Sequence, residues 1–392
     1  MMGAKNGKRA HIMELQELRS GIDEIDRQII DLFAARMQTA ASIAQYKRAH
    51  GLPVLDAGRE REKLADVIAS VPEALQEPAV SLFRLLFSLS RGYQRQLLGT
   101  GSTLPGLVAQ ALSAAPQMFP QRAYVACQGV EGAFSQQACE KLFAHPSIFY
   151  CATFDAVFSA IEQGLCRYGV IPLENSTAGS VNAVYDLMQK HHFSIVRSTR
   201  LKVNHSLLAL PGTSLTDVKE ILSHEQALSQ CSDFLRTLPG VRVTRCGNTA
   251  EAAKTVASSG RHDLAAISSS RCGQLYALAE LRPNVQNDAG NFTRFICISA
   301  KPEIYPGADR TSLMVTLRDE PGSLYQVLAR LYGRGINLTK LESRPIAGRD
   351  FEFMFYFDLQ CPVCAPEFAK LLGELEDVCQ SVTYLGSYTE VV

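Results

Sequence analysis

Arg36 and Lys47 stand eleven positions apart in a run whose apolar residues Ile22, Ile25, Ile29, Leu32, Ala40 and Ile43 recur at helical spacing. Successive helical residues turn by about 100°, so positions eleven apart lie within about 20° of each other. Both cations therefore extend the stripe formed by Ile22, Ile29 and Ile43. An unpaired charge held against an apolar face is costly, and an anion bound there removes the cost. The two side chains, about 16 Å apart along the axis, could grip one small dicarboxylate. Arg19 projects about 100° away from Arg36 and is placed to serve a neighbouring helix's pocket instead. The same pattern is met if Arg36 and Lys47 extend past the stripe to solvent, or pair with acidic residues of other helices.

Other candidate chemistry lies farther along. Gly129-Val-Glu-Gly132-Ala-Phe-Ser135 follows a strand pattern and opens a helix, whose N-terminus is a possible anion site and equally an ordinary tight turn. Ile171-Pro172-Leu173-Glu174-Asn175-Ser176-Thr177-Ala178-Gly179-Ser180-Val181 crowds hydroxyls, an amide and a glycine into one loop after a strand. Asn291-Phe292-Thr293-Arg294-Phe295 sets a hydroxyl beside a cation at the start of an apolar strand, and in a regular strand the two point to opposite faces. No Ser/His/Asp arrangement, metal cluster or dinucleotide fingerprint is readable.

The elements that must carry these residues fall into three blocks. From Met13 to about Leu98 the periodicity is helical throughout. A long helix stops at Gly51 and Pro53, a second starts at Asp56, and a third runs from Val80 to about Leu98 after Pro72 and Pro78. One long helix with two short companions cannot cover its own apolar face, which implies a dimer. Gly99, Gly101, Pro105, Gly106, Pro116 and Pro120 mark a linker with one short helical patch. Next, strand-like runs (Ala123–Cys127, Tyr168–Ile171, Ser194–Val196, Ser206–Leu210, Val241–Cys246, Leu264–Ser268, Phe292–Ser299) alternate with helix-like ones (Phe134–Phe143, Val181–Gln189, Asp217–Leu222, Ala227–Leu238, Ala250–Ala257), an α/β pattern long enough for two lobes around a cleft. Strand Leu313–Leu317, helix Ser323–Tyr332, strands Ile336–Leu341 and Phe351–Leu359, helix Pro366–Leu375 and strand Val382–Ser387 then give the ferredoxin-like order β-α-β-β-α-β.

Composition bounds the partners. Lys plus Arg and Asp plus Glu both total 39, so no positive surplus favours nucleic acid or an anionic membrane, and any cationic site is local. No apolar run is long enough to span a bilayer. The basic stretch of residues 1–11, whose role is not readable, leads into Glu14 and Glu17 rather than a signal core. The 11 cysteines, an odd number scattered through predicted strands and helices, fit a reducing cytoplasm. Cys361 and Cys364 form an isolated C-x-x-C with no second pair, which reads as a surface turn around Pro362.

The run Leu18-Arg19, Arg36, Lys47, Asp56-x-x-Arg59-Glu60 and Ser90-x-x-x-Gln94 resembles the all-helical chorismate mutases, with matching spacing at every one of these positions. That family forms an interlocked dimer and performs a Claisen rearrangement without cofactor or covalent intermediate. Carried over, the resemblance implies that Arg36 and the partner's Arg19 hold the substrate carboxylates, Lys47 and Gln94 donate to the ether oxygen, and Glu60 accepts from the ring hydroxyl. Arg59, Asp56 and Ser90 would complete the shell, with Asp56 read first as a helix N-cap. An amide at Gln94 needs no protonation to donate, whereas a glutamate would.

From about 122 to 300 the chain resembles prephenate dehydratase, in Thr293-Arg294-Phe295, the Glu174–Gly179 loop, Ser223-His224, Gln226-Ala227 and Thr249-Ala250-Glu251-Ala252-Ala253. Glu225 stands where many relatives carry proline. By that resemblance Thr293 acts, within a hydrogen-bond network, on the leaving ring hydroxyl as CO2 departs. Arg294 would help hold a carboxylate, with Glu174, Asn175, Ser176, Thr177, Gly179, Gln226 and Phe295 around the substrate. Glu320-Pro321-Gly322-Ser323-Leu324, Glu342-Ser343-Arg344-Pro345 and Leu385-Gly386-Ser387-Tyr388 resemble the ACT domains of phenylalanine-sensitive dehydratases, which implies an L-phenylalanine site at Pro321, Gly322, Ser323, Leu324, Glu342, Ser343, Arg344 and Pro345.

The order of the three units resembles the bifunctional P-proteins. The expected architecture is an all-α chorismate mutase domain (12–100), a linker (101–120), an α/β two-lobed, periplasmic-binding-protein-like dehydratase domain (121–301) and an α+β ferredoxin-like ACT domain (309–392). The expected activity takes chorismate through prephenate to phenylpyruvate with feedback by phenylalanine. The enzyme is expected to use no cofactor or metal, to work as a homodimer or higher homo-oligomer, and to bind neither nucleic acid nor membrane. Separate sites imply that Lys47→Ala spares dehydration, and a separate ACT domain that removing 302–392 spares activity while abolishing sensitivity to phenylalanine. Three alternatives remain at this level: a dehydratase with a non-catalytic dimerising helical domain, one that prefers arogenate, or a non-catalytic amino-acid sensor.

Overall fold

The computed structural model describes residues 4–98, 103–114, 116–346, 348 and 352–392. Gly99 and Gly101 of the expected linker, and Phe351 at the start of an expected strand, lie outside them. The chain divides into two compact units, one up to Thr103 and one from Leu104 onward.

The first unit is helical among its described residues. Helix α1 (Ala4–Ala49) is followed by α2 (Ala57–Ser70) and α3 (Glu73–Leu98). Gly51, at φ 63°, closes α1, and Leu52 N donates back to Lys47 O at 2.9 Å. Asp56 caps α2 by accepting from Arg59 N at 3.0 Å. The third helix begins earlier than Pro78 predicts, because that residue lies in its second turn, where a missing N–H costs one intrahelical bond. Ala40, Ala44 and Val67 are buried, but the apolar stripe of α1 is not: Ile22 is 58% and Ile29 57% exposed within the protomer.

The second unit opens with α4 (Leu104–Ala114). A first α/β lobe follows: β1 (Arg122–Gln128), α5 (Phe134–Leu142), β2 (His145–Cys151), α6 (Phe154–Glu162), β3 (Tyr168–Asn175), β4 (Gly179–Ser180), α7 (Asn182–Met188) and β5 (Ser194–Lys202). A second lobe holds β6 (Ser206–Ala209), β7 (Glu220–Ser223), α8 (Glu225–Gln230), α9 (Ser232–Arg236), β8 (Arg242–Arg245), α10 (Thr249–Ser259), β9 (Leu264–Ser268), α11 (Ser270–Leu275) and β10 (Ala279–Arg282). The chain returns to the first lobe in β11 (Phe292–Ser299). The C-terminal domain is β12 (Arg310–Leu317), α12 (Ser323–Gly333), β13 (Asn337–Pro345), β14 (Phe353–Gln360), α13 (Pro366–Val378) and β15 (Cys379–Val391), the expected β-α-β-β-α-β.

The second lobe has its own sheet, in the order β10-β6-β9-β7-β8. The expected helix over Asp217–Leu222 is instead a single 3₁₀ turn leading into β7. Its short apolar run fits either element by pattern, and pairing with β8 and β9 on both sides decides for the strand. The other sheet joins the first lobe to the C-terminal domain, in the order β13-β14-β12-β15-β5-β11-β3-β1-β2. The join is the parallel pairing of β15 with β5. Gly386, at φ 142°, permits the crossing: a Cβ there would lie 2.1 Å from Ile195 O.

Two consequences depart from a chain of separable domains. Tyr356, Leu385 and Tyr388 of the C-terminal domain share one core with Ile171, Leu173, Tyr185 and Ile296 of the first lobe. Leu104, Val108 and Ala111 of α4 belong to the core of the C-terminal domain, where α4 packs on α13, so part of the expected linker is a structural helix. Each large side chain of the shared core contributes about 1.5–3 kcal/mol. Removing residues 302–392 is therefore expected to lower the melting temperature of the α/β domain by at least about 5 °C while the helical unit melts unchanged. Calorimetry of the truncated chain measures this, and an unchanged α/β transition would show the shared core to be dispensable.

Candidate active sites

In the helical unit the sequence-predicted residues gather where α1, α2 and α3 meet. Arg36 Nη1 donates to Leu86 O at 3.0 Å and contacts Ser90 Oγ, which itself donates to Leu86 O at 2.9 Å. Burial lowers the pKa of Arg36, and the charge of Glu60 opposes that effect. Glu60 on α2 pairs with Arg91 of α3, a residue that sequence reasoning missed because its cation falls off the α1 stripe. Lys47 Nζ donates to Val54 O. Gln94 is buried and its Oε1 has no hydrogen-bond partner, a costly state that an incoming donor would relieve. Arg59 pairs with Glu62 on the exposed side of α2, and Arg19 is exposed. Neither is brought to this cluster within one protomer.

In the α/β domain, the site is built on the pairing of β3 with β11, which sets Thr293 opposite Asn175 and Arg294 opposite Glu174. Asn175 Nδ2 donates to Thr293 Oγ1 at 2.9 Å and to Asn291 Oδ1 at 2.7 Å. Asn175 Oδ1 accepts from Thr177 N, Thr177 Oγ1 and Ala178 N at 2.8–3.1 Å, which shapes the turn to Gly179. Because Thr293 Oγ1 accepts from Asn175, its own hydrogen points elsewhere. Ser176 ties the turn to the segment before β11, donating to Gly290 O at 3.0 Å.

Gln230, at the end of α8, brings in the second lobe. Its Nε2 donates to Thr177 Oγ1 at 3.0 Å and its Oε1 accepts from Asn291 Nδ2 at 3.1 Å. His205 is buried with Nε2 at 3.2 Å from Gln230 Oε1. Burial lowers its pKa against the effect of that hydrogen bond, so the neutral ring donates through Nε2. Thr177, Gln226, Gln230, Asn287, Asp288 and Asn291 line a cavity of about 230 Å³ beside this network. Gln230 and His205 were missed because neither sits in a motif with regular spacing.

Arg294 and Phe295 are not brought to the cavity. Phe295 is packed in the core of the first lobe. Arg294 is 6% exposed and turns to the other face of β11, where it pairs with Asp358 and Glu174 and donates to Tyr388 Oη at 2.7 Å. Burial opposes its charge, but Tyr388, Asp358 and Tyr356 outweigh that and raise its pKa. In this structure its guanidinium is engaged in an internal ion cluster rather than turned toward the cavity. Glu174 faces the same way: burial would raise its carboxyl, but Lys340 and Arg294 hold it below the usual range. Gly132 Cβ would lie 2.9 Å from Cys272 Sγ, and Gly132 N donates to Gln136 Oε1 at 2.7 Å, so that turn serves packing.

In the C-terminal domain Gly322 (φ 85°) starts α12 in the left-handed region, which favours glycine. Glu342 and Arg344 lie within β13 rather than after it. Glu342 accepts from Ser180 Oγ at 2.7 Å and Arg344 pairs with Asp186 at 2.7 Å.

Comparison with known proteins matches the chain to three families in order: chorismate mutase type II over residues 18–95, prephenate dehydratase over 125–303 and the ACT domain over 311–380. The chain is 32% identical over 382 residues to the bifunctional chorismate mutase/prephenate dehydratase of Escherichia coli K12, covering 95% of this chain and 96% of that protein. The chain belongs to this bifunctional family. It is also 38% identical over 281 residues to arogenate dehydratase/prephenate dehydratase 1 of Arabidopsis thaliana, covering 67% of this chain and 71% of that protein. A solved prephenate dehydratase from Arthrobacter aurescens, in complex with L-Phe, is 27% identical with a TM-score of 0.62, over 68% of this chain and 89% of that one.

The mutase and dehydratase clusters lie in different compact units. Lys47→Ala is expected to lower mutase turnover about 100-fold or more and leave the conversion of added prephenate unchanged, measured by separate assays. Gln94→Glu should confine mutase activity to acid pH, since only a protonated carboxyl can donate as the amide does; a flat pH profile would exclude donation from this position.

Proposed function

We propose that the chain rearranges chorismate to prephenate in its helical unit and converts prephenate to phenylpyruvate in its α/β domain, under control of L-phenylalanine bound at the ACT domain. The observation that carries this reading is the order of the three matched segments within one alignment covering 95% of the chain. In the mutase, Arg36 and the partner's Arg19 hold the two carboxylates. Lys47 and Gln94 donate to the ether oxygen as charge develops on it, and Glu60, released from Arg91, accepts from the ring hydroxyl. The catalysis is positioning and electrostatics.

In the dehydratase, the breaking ring C–O bond releases the hydroxyl as water, the ring carboxylate leaves as CO2, and its bonding electrons complete the aromatic ring. Thr293, held by Asn175, donates a hydrogen bond to the departing oxygen as one member of the Asn175–Thr177–Gln230 network, and the one proton that the released hydroxide takes up to become water comes from solvent. The amides and hydroxyls of the Asn175–Gly179 turn, with Gln226, bind the substrate. The ACT segments at Pro321–Leu324 and Glu342–Pro345 take the effector, a reading supported by the L-Phe complex of the Arthrobacter relative.

A second copy completes the helical unit. Leu18, Ile22, Ile25, Ile29 and Leu32 of α1 are 52–70% exposed in the protomer, a continuous apolar row that a monomer would leave in water. Cytoplasmic residence belongs to the same reading, supported by eleven cysteines that are all unpaired. Among the described residues no helix is long and apolar enough to cross a membrane.

Purified protein given chorismate alone should form phenylpyruvate, followed together with chorismate loss. Accumulation of prephenate would confine the live chemistry to the helical unit, and persistence of chorismate would reduce that unit to a scaffold. The Arabidopsis relative's name carries arogenate as well as prephenate, which favours arogenate as a second substrate. Comparing kcat/KM for the two ranks them.

A further inference from the structure

β13 of the ACT domain presents alternate residues to the dehydratase domain. Lys340, Glu342 and Arg344 are half-buried, while Thr339, Leu341 and Ser343 between them are exposed. Arg344 pairs with Asp186 of α7. Glu342 accepts from Ser180 Oγ at 2.7 Å. Lys340 Nζ reaches both Glu174, in an ion pair, and Ser180 Oγ, at 3.0 Å.

Those two partners face each other across a two-stranded ladder: Glu174 is opposite Ser180, and Asn175 is opposite Gly179. They are the base of the turn that carries Asn175, Ser176 and Thr177. One ammonium therefore closes both legs of the catalytic turn, from a strand that begins the effector motif two residues later. We propose that Lys340 is a positioning residue of the dehydratase, supplied by the ACT domain, and that effector occupancy of β13 reaches the Asn175–Gly179 turn through it. The second half rests on the reading of Glu342–Pro345 as part of the phenylalanine site; the first half does not.

The physical route is short. A ligand that draws Glu342 or Arg344 toward itself takes them from Ser180 and Asp186, and β13 shifts with Lys340 on it. Glu174 and Ser180 then lose their shared partner, and the residue next to Glu174 is Asn175, which holds Thr293. Removing Lys340 also changes the charge around Glu174, which is faced by Lys340 from β13 and Arg294 from β11; Tyr185 of α7 is faced in turn by Glu174, Asp358 of β14, Glu342 of β13 and Arg294. With Lys340 absent the Glu174 carboxyl titrates higher, so the acid limb of dehydratase turnover moves to higher pH.

The test uses the full chain with Lys340→Met and Lys340→Arg, assayed for both activities, with phenylalanine binding measured by equilibrium dialysis. Lys340→Met is expected to leave mutase turnover unchanged and to lower dehydratase kcat more than it alters KM. It should also shift the acid limb upward and raise the half-inhibitory phenylalanine concentration roughly fivefold or more. Lys340→Arg, which can still bridge Glu174 and Ser180, should restore most of each effect. Wild-type kcat, pH profile and inhibition in Lys340→Met would overturn the proposal, as would a loss of turnover that tracks a lowered melting temperature and that arginine does not rescue. A wild-type chain that binds no phenylalanine would remove the effector reading and the transmission half with it, while kcat and the acid limb of Lys340→Met would still decide the positioning half.

Discussion

Arg294 keeps its charge while almost wholly out of water, and the larger unit is arranged around that fact. A buried guanidinium must be surrounded by acceptors or its desolvation is uncompensated. Here the acceptors come from both domains: Glu174 from the strand beside it, and Asp358 and Tyr388 from the ACT domain, while the Glu390 carboxylate adds charge 3.8 Å from Nε, which makes no hydrogen bond. Asp358 and Tyr388 are further held by Ser312. The ion cluster therefore fixes how the ACT sheet meets the dehydratase sheet, and the β15–β5 pairing and the crossing at Gly386 are compatible with that one placement. Replacing such a cluster with apolar residues of like volume can be neutral for stability, whereas removing one partner leaves the other charge buried and uncompensated.

The residue pairs Glu174–Asn175 and Thr293–Arg294 show how a β-ladder separates two tasks. Successive side chains point to opposite faces, and the register matches Asn175 with Thr293 on one face and Glu174 with Arg294 on the other. One face carries the hydrogen-bond network that reaches the cavity through Thr177 and Asn291; the other meets the regulatory domain. A register slip of one residue would exchange the two sets and disable both.

Much of this was legible beforehand. The helical period, the β-α-β-β-α-β order and the motifs around Asn175 and Thr293 are visible in the sequence, and Asn175, Thr177, Asn291 and Thr293 do converge. What escaped depends on contacts distant in sequence. That Arg294 faces away from Thr293 was allowed by strand alternation, yet its partner Asp358 lies in another domain. Gln230, His205 and Lys340 lack any spacing signal, and their roles come from lobes and strands brought together only by folding. The β7 strand was read as helix because a short apolar run fits both periods, and only neighbouring strands decide. The stripe on α1 was read as apolar, and within the single chain it stays largely exposed.

Helix α4 gives the ACT domain a discontinuous core. Its residues Leu104, Val108 and Ala111 pack on α13, so the polypeptide visits the regulatory core, leaves for the whole dehydratase domain and returns to finish it. On the ribosome, where chains grow at about 5–20 residues per second, the α4 face emerges roughly 10–50 s before α13, some 250 residues downstream, exists to cover it. For that interval an apolar helix stands between a finished helical unit and an unfinished α/β domain. Nascent chains therefore carry a window in which the apolar face of α4 stands uncovered, open to capture by chaperones.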